Sequence, residues 1–156
     1  MCDKVYRADI LSHAYNLVRA NKGSPGIDGA TFEAIETGEG ITAFLAELEE
    51  ALKNKTYRPK PVKQVMVPKS NGDKRPLGIP TIRDRVAQMV VKLVIEPIFE
   101  ADFCKTSYGF RPKKSAHQAV DDVAYAMNRG YTEIIDADVS KYFDTIPHAN
   151  LLAVVA

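Results

Sequence analysis

The chain has 156 residues, 46% of them apolar and 26% charged, with a formal net charge of +1. That length suits one domain, or one and a part, and the apolar content with aromatics throughout excludes low-complexity disorder. No apolar run approaches the roughly 18 residues of a membrane span, no signal-peptide pattern opens the chain, and two cysteines make no disulfide framework. His13, His117 and His148 lack metal-ligand spacing, so the whole reads as soluble, reduced and cytoplasmic.

Residues 4–20 place Val5, Ala8, Leu11, Tyr15 and Val18 at helical spacing, and Asn21-Lys22-Gly23 ends that helix. Ser24 to Gly29 follows as a loop whose glycines reach conformations closed to other residues. A second helix over 40–53 carries Ile41, Phe44, Leu45, Leu48 and Leu52 on one stripe. To this point the chain is acidic: residues 1–52 hold four basic and nine acidic side chains, a net of −5. Residues 53–75 reverse this, with eight basic side chains against Asp73 alone, a net of +7. Val62 to Val67 and Arg75 to Ile79 read as the strands of a hairpin that turns at Ser70-Asn71-Gly72-Asp73. Pro76 and Pro80 mark it as an edge.

Residues 82–96 form a strongly apolar helix with Val86, Met89, Val90, Leu93 and Val94 inward, kinked or ended by Pro97. A second basic stretch, 103–118, brings Lys105, Arg111, Lys113 and Lys114 with no acid, and Cys104 within it reads as a buried small residue. Ser115 caps a helix to about Met127 whose stripe is Ala119, Val120, Val123 and Ala124. Residues 132–139 read as a buried strand with carboxylates at its end. Asp144 or Thr145 then caps a last helix starting near Pro147. The apolar ending, Leu151 to Ala156, has no polar terminator and reads as a truncation.

Two basic stretches interleaved with Tyr57, Tyr108 and Phe110 are the footprint of a polyanion partner; a solvated lysine face is the plain alternative. Asp136 and Asp138, two residues apart, project on one face of a strand, and Asp144 follows six residues later. Carboxylates gathered at a strand end suit a hard cation such as Mg²⁺, against the simpler reading of a solvated Asp pair at a turn. An EF-hand fits worse, because Lys141 stands where that loop needs Gly and Pro147 where it needs Glu. Walker, G-x-S-x-G and H-E-x-x-H motifs are absent, and His117 and His148 read as hydrogen-bonded structural residues.

Six strings then occur in order. They are Asn21-Lys22-Gly23-Ser24-Pro25-Gly26-Ile27-Asp28-Gly29, Tyr57-Arg58-Pro59, Val67-Pro68-Lys69, Lys74-Arg75-Pro76-Leu77-Gly78-Ile79-Pro80-Thr81, Ser107-Tyr108-Gly109-Phe110-Arg111-Pro112 and Asp136-Ala137-Asp138-Val139-Ser140-Lys141-Tyr142-Phe143-Asp144. In order and spacing, over roughly residues 5–150, this resembles the opening blocks of group II intron-encoded reverse transcriptases (maturases).

The resemblance implies an α+β fold. Reverse-transcriptase fingers, helices plus a small antiparallel sheet, would occupy 1–130 with an N-terminal extension loop at 21–31. The first palm strand would begin an incomplete palm over 131–156. It implies Asp138 as the first metal-binding aspartate, with Val139 as a further ligand of Mg²⁺ in a two-metal site completed by residues absent from this chain. Lys69 and Arg75 would grip the triphosphate of a dNTP, Lys63 would contact the incoming base or template, and the backbone from Val139 through Ser140, Lys141 and Tyr142 to Phe143 would cradle the phosphates. Phe143 would lie beneath the sugar and exclude a ribose 2′-OH. Gly23, Ser24, Gly26 and Gly29, with Tyr108 and Arg111, would meet template and primer.

The expected partners are therefore RNA template and intron RNA, a DNA primer and dNTP, with no membrane, and self-association through an exposed palm edge. The family's second carboxylate motif, an aromatic-Ala-Asp-Asp turn, does not occur, so the fragment is expected to be inactive alone. Two other readings share these features: an RNA-binding maturase module that assists splicing without chemistry, and a reverse transcriptase of a retron or defence system.

Overall fold

The computed structural model describes residues 4–70, 72–140 and 142–155. In chain order these form α1 (Ala8–Ala20), α2 (Phe32–Thr37), α3 (Gly40–Lys53), β1 (Lys63–Pro68), β2 (Lys74–Ile79), α4 (Ile82–Asp102), α5 (Ala116–Asn128), α6 (Tyr142–Thr145) and α7 (His148–Val155). They divide into two compact units, one through Phe103 and the other from Cys104 onward.

The first unit has the core. Leu11, Ala14, Tyr15 and Val18 of α1 meet Ile82, Val86, Ala87 and Val90 of α4, and Leu48 of α3 closes the cluster. Both helices offer one stripe at three- and four-residue spacing, and each large side chain so buried contributes about 1.5–3 kcal/mol. The Tyr15 ring meets Phe32 and Phe44 edge to face, at 5.9 and 6.0 Å between centroids. The Phe32 contact helps explain α2, a helix not expected from the sequence. Thr31 caps it by accepting the Ala34 amide at 3.1 Å, and Glu36 takes a two-bonded Arg19 guanidinium and the Tyr15 hydroxyl. The Arg19 bonds hold the Glu36 carboxyl below its ordinary range.

α4 opens on a more demanding arrangement. The Thr81 hydroxyl accepts the Asp84 amide at 3.1 Å and donates to the Asp84 carboxylate at 2.7 Å. Asp84 is only 3% exposed. Its carboxylate also accepts the Tyr57 hydroxyl at 2.6 Å and the Lys60 amide at 3.2 Å. Those two donors lie on the segment that leads from α3 into β1, and Thr81 follows one residue, Pro80, beyond the end of β2. One carboxylate thus bonds both roots of the hairpin.

The hairpin itself is antiparallel and regular, from Lys63 opposite Ile79 to Pro68 opposite Lys74. Its turn closes through the Lys69 amide on the Asp73 carbonyl and the Gly72 amide on the Lys69 carbonyl, with Gly72 at φ +88°. Along both strands only Val67 and Ile79 are half-buried.

Several expectations are corrected. The first helix starts at Ala8, because Arg7 is extended and acts as its cap position. Pro97 lies inside α4, which continues to Asp102; Pro97 is exposed, so water can replace the one missing N–H bond. In the second unit α5 does start from Ser115, with a full capping box to Gln118. Its expected inward stripe faces out, however, with Val120 65% and Val123 52% exposed. Residues 132–139, expected as the first palm strand, form no strand. A strand exists through its ladder partners, the described sheet is only β1 with β2, and Ile135 is 94% exposed. The strand edge expected to drive self-association is absent with it. The Thr145 hydroxyl donates to the Tyr142 carbonyl at 3.2 Å, and the Asp144 side chain lies outside the described structure. Cys104, His117 and His148 are exposed.

The Asp84 node predicts a stability effect with a defined pH dependence. Tyr57→Phe removes a bond to a carboxylate and should cost about 1.5–3 kcal/mol in urea denaturation at pH 7. Burial, then the bond to Asp84, push the Tyr57 phenol well above its ordinary value of 10.0. A group whose folded pKa is raised contributes in full below its unfolded pKa. The difference between parent and variant should therefore hold steady below about pH 10 and shrink as pH rises above it.

Candidate functional site

At the hairpin tip, Lys69 and Arg75 flank the turn and, with Pro68 and Ser70, line one open concavity. Among the described residues neither side chain is paired with a carboxylate. Two cations are thus held at one end of a ribbon, with their charge unspent. The ladder from Lys63 to Pro68 has no bulge, so Lys63 has the same parity as Lys69. Six residues of strand separate them, about 20 Å at roughly 3.3 Å per residue, so Lys63 stands at the root and cannot share a phosphate with the tip.

The glycine loop before α2 is docked, not free. Arg85 of α4 donates to the Ser24 carbonyl, and to the Pro80 carbonyl at 3.1 Å, and its guanidinium fills the space beside Gly23. A Cβ on Gly26 would sit 2.7 Å from the Thr81 Cα. Asp28 accepts the Ala30 amide and pairs with Lys60 at 3.6 Å. Gly29, at φ +68°, faces open space. Gly23, Ser24 and Gly26 therefore approach the first turn of α4 closely. Beside them lies a concavity of about 550 Å³ whose lining includes Arg19, Lys22, Thr31 and Glu36.

In the second unit, Tyr108 and Arg111 are committed to the loop's own structure. The Tyr108 hydroxyl donates to Asp122, which with burial raises its phenol pKa, and Lys114 lies over the ring at 5.0 Å. Arg111 donates to the carbonyls of Cys104 and Ser107 at 2.8 and 2.9 Å. Phe110, between them, is fully exposed at φ +57°, a left-handed conformation that is uncommon for a bulky residue. Tyr57 and Arg58, counted with the basic stretch, are likewise engaged: Tyr57 on Asp84, and Arg58 on the carbonyls of Lys55 and Tyr57.

Asp138 lines a separate open concavity with Ala137, Val139, Tyr142 and Phe143. The Tyr142 and Phe143 rings meet edge to face at 5.4 Å, and Phe143 is 83% exposed. Ser140 is exposed in the adjoining turn, and Lys141 lies outside the described residues. Among the described residues no three metal-ligating side chains converge. Asp138 and the Val139 carbonyl would supply two of the six oxygens that Mg²⁺ requires, so these residues alone do not make a metal site, and no metal-dependent step is derived from them.

A family profile described as reverse transcriptase (RNA-dependent DNA polymerase) matches residues 67–156, which takes in the hairpin tip and the Asp138 segment. The chain belongs to the reverse transcriptase family. It is 33% identical over 153 residues to the group II intron-encoded protein LtrA of Lactococcus lactis subsp. cremoris, covering 96% of this chain and 24% of that protein. It is 38% identical over 151 residues to protein YkfC of Escherichia coli K12, covering 93% of this chain and 39% of that protein. A putative COX1/OXI3 intron 1 protein of Saccharomyces cerevisiae is 32% identical over 143 residues, with 90% of this chain and 16% of that protein covered. The chain thus spans well under half the length of these relatives. None of its helices is long and apolar enough to cross a membrane, among the described residues.

Asp84 and Arg85, which tie the loop and the hairpin roots to α4, are absent from the candidate residues read from the sequence. The available signal is Thr81-x-x-Asp84 before an apolar run, a capping-box pattern that marks the start of α4. The loop's close approach predicts unequal costs for two glycine changes. Gly26→Ala drives a methyl into the Thr81 backbone and should destabilise the chain by about 1–3 kcal/mol, whereas Gly29→Ala meets only its unfavourable φ, about 1 kcal/mol. Urea titrations of the two variants check the order.

Proposed function

We propose that this chain supplies the fingers, over 1–130, and the first metal-binding aspartate, over 131–156, of an RNA-directed DNA polymerase encoded by a group II intron. Its partners are then RNA template and intron RNA, a DNA primer and dNTP. The observation that carries the reading is the hairpin tip: two cations with no carboxylate partner among the described residues flank the turn, within the stretch that matches the reverse transcriptase profile. A triphosphate is the ligand that such a pair fits, Arg75 as a planar fork across two oxygens and Lys69 as a point charge.

Lys63, at the root, lies too far for the same phosphates and would meet a base or the template. The loop with Gly23, Ser24, Gly26 and Gly29 offers docked backbone to a template strand, and Tyr108 and Arg111 brace the loop that presents Phe110 to template or primer. Asp138 would hold Mg²⁺ with Val139, together with phosphate oxygens and carboxylates from outside these residues. The backbone from Ser140 through Lys141 and Tyr142 would run beside the triphosphate, and Phe143 would stand under the sugar and select against a 2′-OH.

Steady-state kinetics in the full-length polymerase tests this reading. Arg75→Ala should raise the dNTP KM about tenfold to a hundredfold, because each 1.4 kcal/mol is a factor of ten and a charge-assisted contact is worth about 1.5–3 kcal/mol. Arg75→Lys should recover part of the loss, and template affinity should hold. Asp138→Ala should abolish primer extension. If Arg75→Ala leaves dNTP dependence intact and instead lowers the salt slope of RNA binding by about one phosphate's worth, the hairpin is an RNA-holding face and the maturase reading without chemistry replaces this one.

A further inference from the structure

The hairpin raises a mechanical question. Among the described residues no helix packs substantially against it, and both its faces are largely exposed, with Val65, Met66 and Leu77 open to solvent. A ribbon of two strands with so little packed against it is aimed chiefly by its ends. Those ends are cross-tied at one atom group. Asp84 Oδ1 accepts the Tyr57 hydroxyl, and Oδ2 accepts the Lys60 amide on the entering side and the Thr81 hydroxyl on the leaving side. Lys60 then continues the tie to the glycine loop through Asp28.

We propose that Asp84 is a positioning residue that sets the aim of the hairpin, and with it the two cations at the tip, by bonding both of the hairpin's roots. It touches no ligand, and acts through Tyr57 and Lys60 on the entering side and Thr81 on the leaving side. The inference rests on the reading of Lys69 and Arg75 as a triphosphate grip. The chemistry demands a carboxylate: three donors converge on two acidic oxygens, whereas an amide in the same place offers one acceptor oxygen and an NH₂ that cannot accept. Turned either way, the Asp84→Asn amide sets its NH₂ against an entering-side donor, the Tyr57 hydroxyl or the Lys60 amide, so one entering-side donor loses its acceptor.

The test measures aim directly. Nitroxide labels at Ser70→Cys and Gln88→Cys, with Cys2→Ser and Cys104→Ser, report the distance distribution from hairpin tip to α4 by pulsed electron resonance. The parent should give one narrow distribution. Asp84→Asn and Tyr57→Phe should each broaden it, and each should weaken binding of inorganic tripolyphosphate, followed by NMR shifts of the tip amides, by about threefold to tenfold. Lys60→Met, which keeps the Lys60 amide, should retain the parent width.

A merely stabilising role for Asp84 would lower the melting point without widening the distribution in the folded population. Should Asp84→Asn fail to fold, Tyr57→Phe, which loses one donor only, decides the matter. Parent-like width in the folded variants overturns the proposal, as does equal broadening by Lys60→Met. Arg75→Ala separates the two levels: if it leaves tripolyphosphate binding unchanged, the triphosphate reading fails, whereas if it weakens binding and the Asp84 and Tyr57 variants do not, only the positioning role fails.

Discussion

Burying a carboxylate away from water costs several kcal/mol unless hydrogen bonds replace the lost hydration. Asp84 is 3% exposed, and its replacement shell is the Tyr57 hydroxyl, the Thr81 hydroxyl and the Lys60 amide. Its place in the first turn of α4 adds the favourable end of the helix macrodipole. The arrangement is asymmetric in its energetics. Satisfied, it is a modest net gain; with any donor withdrawn, the remaining charge is stranded in the interior. The two segments that carry these donors, one entering the hairpin and one leaving it, are for that reason held in place.

The rest of the first unit is built out from this point. Arg85, the next residue, fastens the glycine loop by its Ser24 carbonyl, and Gly26 fits against Thr81 because it has no Cβ. The α1–α4 core supplies the bulk of the apolar burial and fixes the axis of α4. The hairpin and the loop inherit their positions from the start of that axis. Net charge is then sorted by structure. Tyr57, Arg58 and Lys60 of the basic stretch are engaged in internal bonds, while among the described residues Lys69 and Arg75 have no carboxylate partner.

The legible parts of the sequence were those decided locally. The α3 range, the hairpin with its turn at 70–73, and the Ser115 cap follow from periodicity and turn chemistry that need no distant partner. The six strings carried the family, because their order is a property of sequence alone. What escaped depends on contacts between segments far apart. Phe32 and Thr31 make α2 through packing on Tyr15 and a cap, in a stretch with too short a period to read. Tyr57 reads as an aromatic for stacking until its partner, 27 residues away, is known. The 132–139 segment has the composition of a buried strand but no strand beside it among the described residues, and composition does not supply one.

Amide hydrogen exchange at Lys60 tests the Asp84 node most directly. Lys60 lies between Pro59 and Pro61, outside any helix or strand, and the acceptor for its amide is the Asp84 carboxylate. Protection there should approach that of the Asp84 amide in the first turn of α4, since both bonds open together. Exchange at the rate of an unstructured peptide, with the α4 amides still protected, would contradict it.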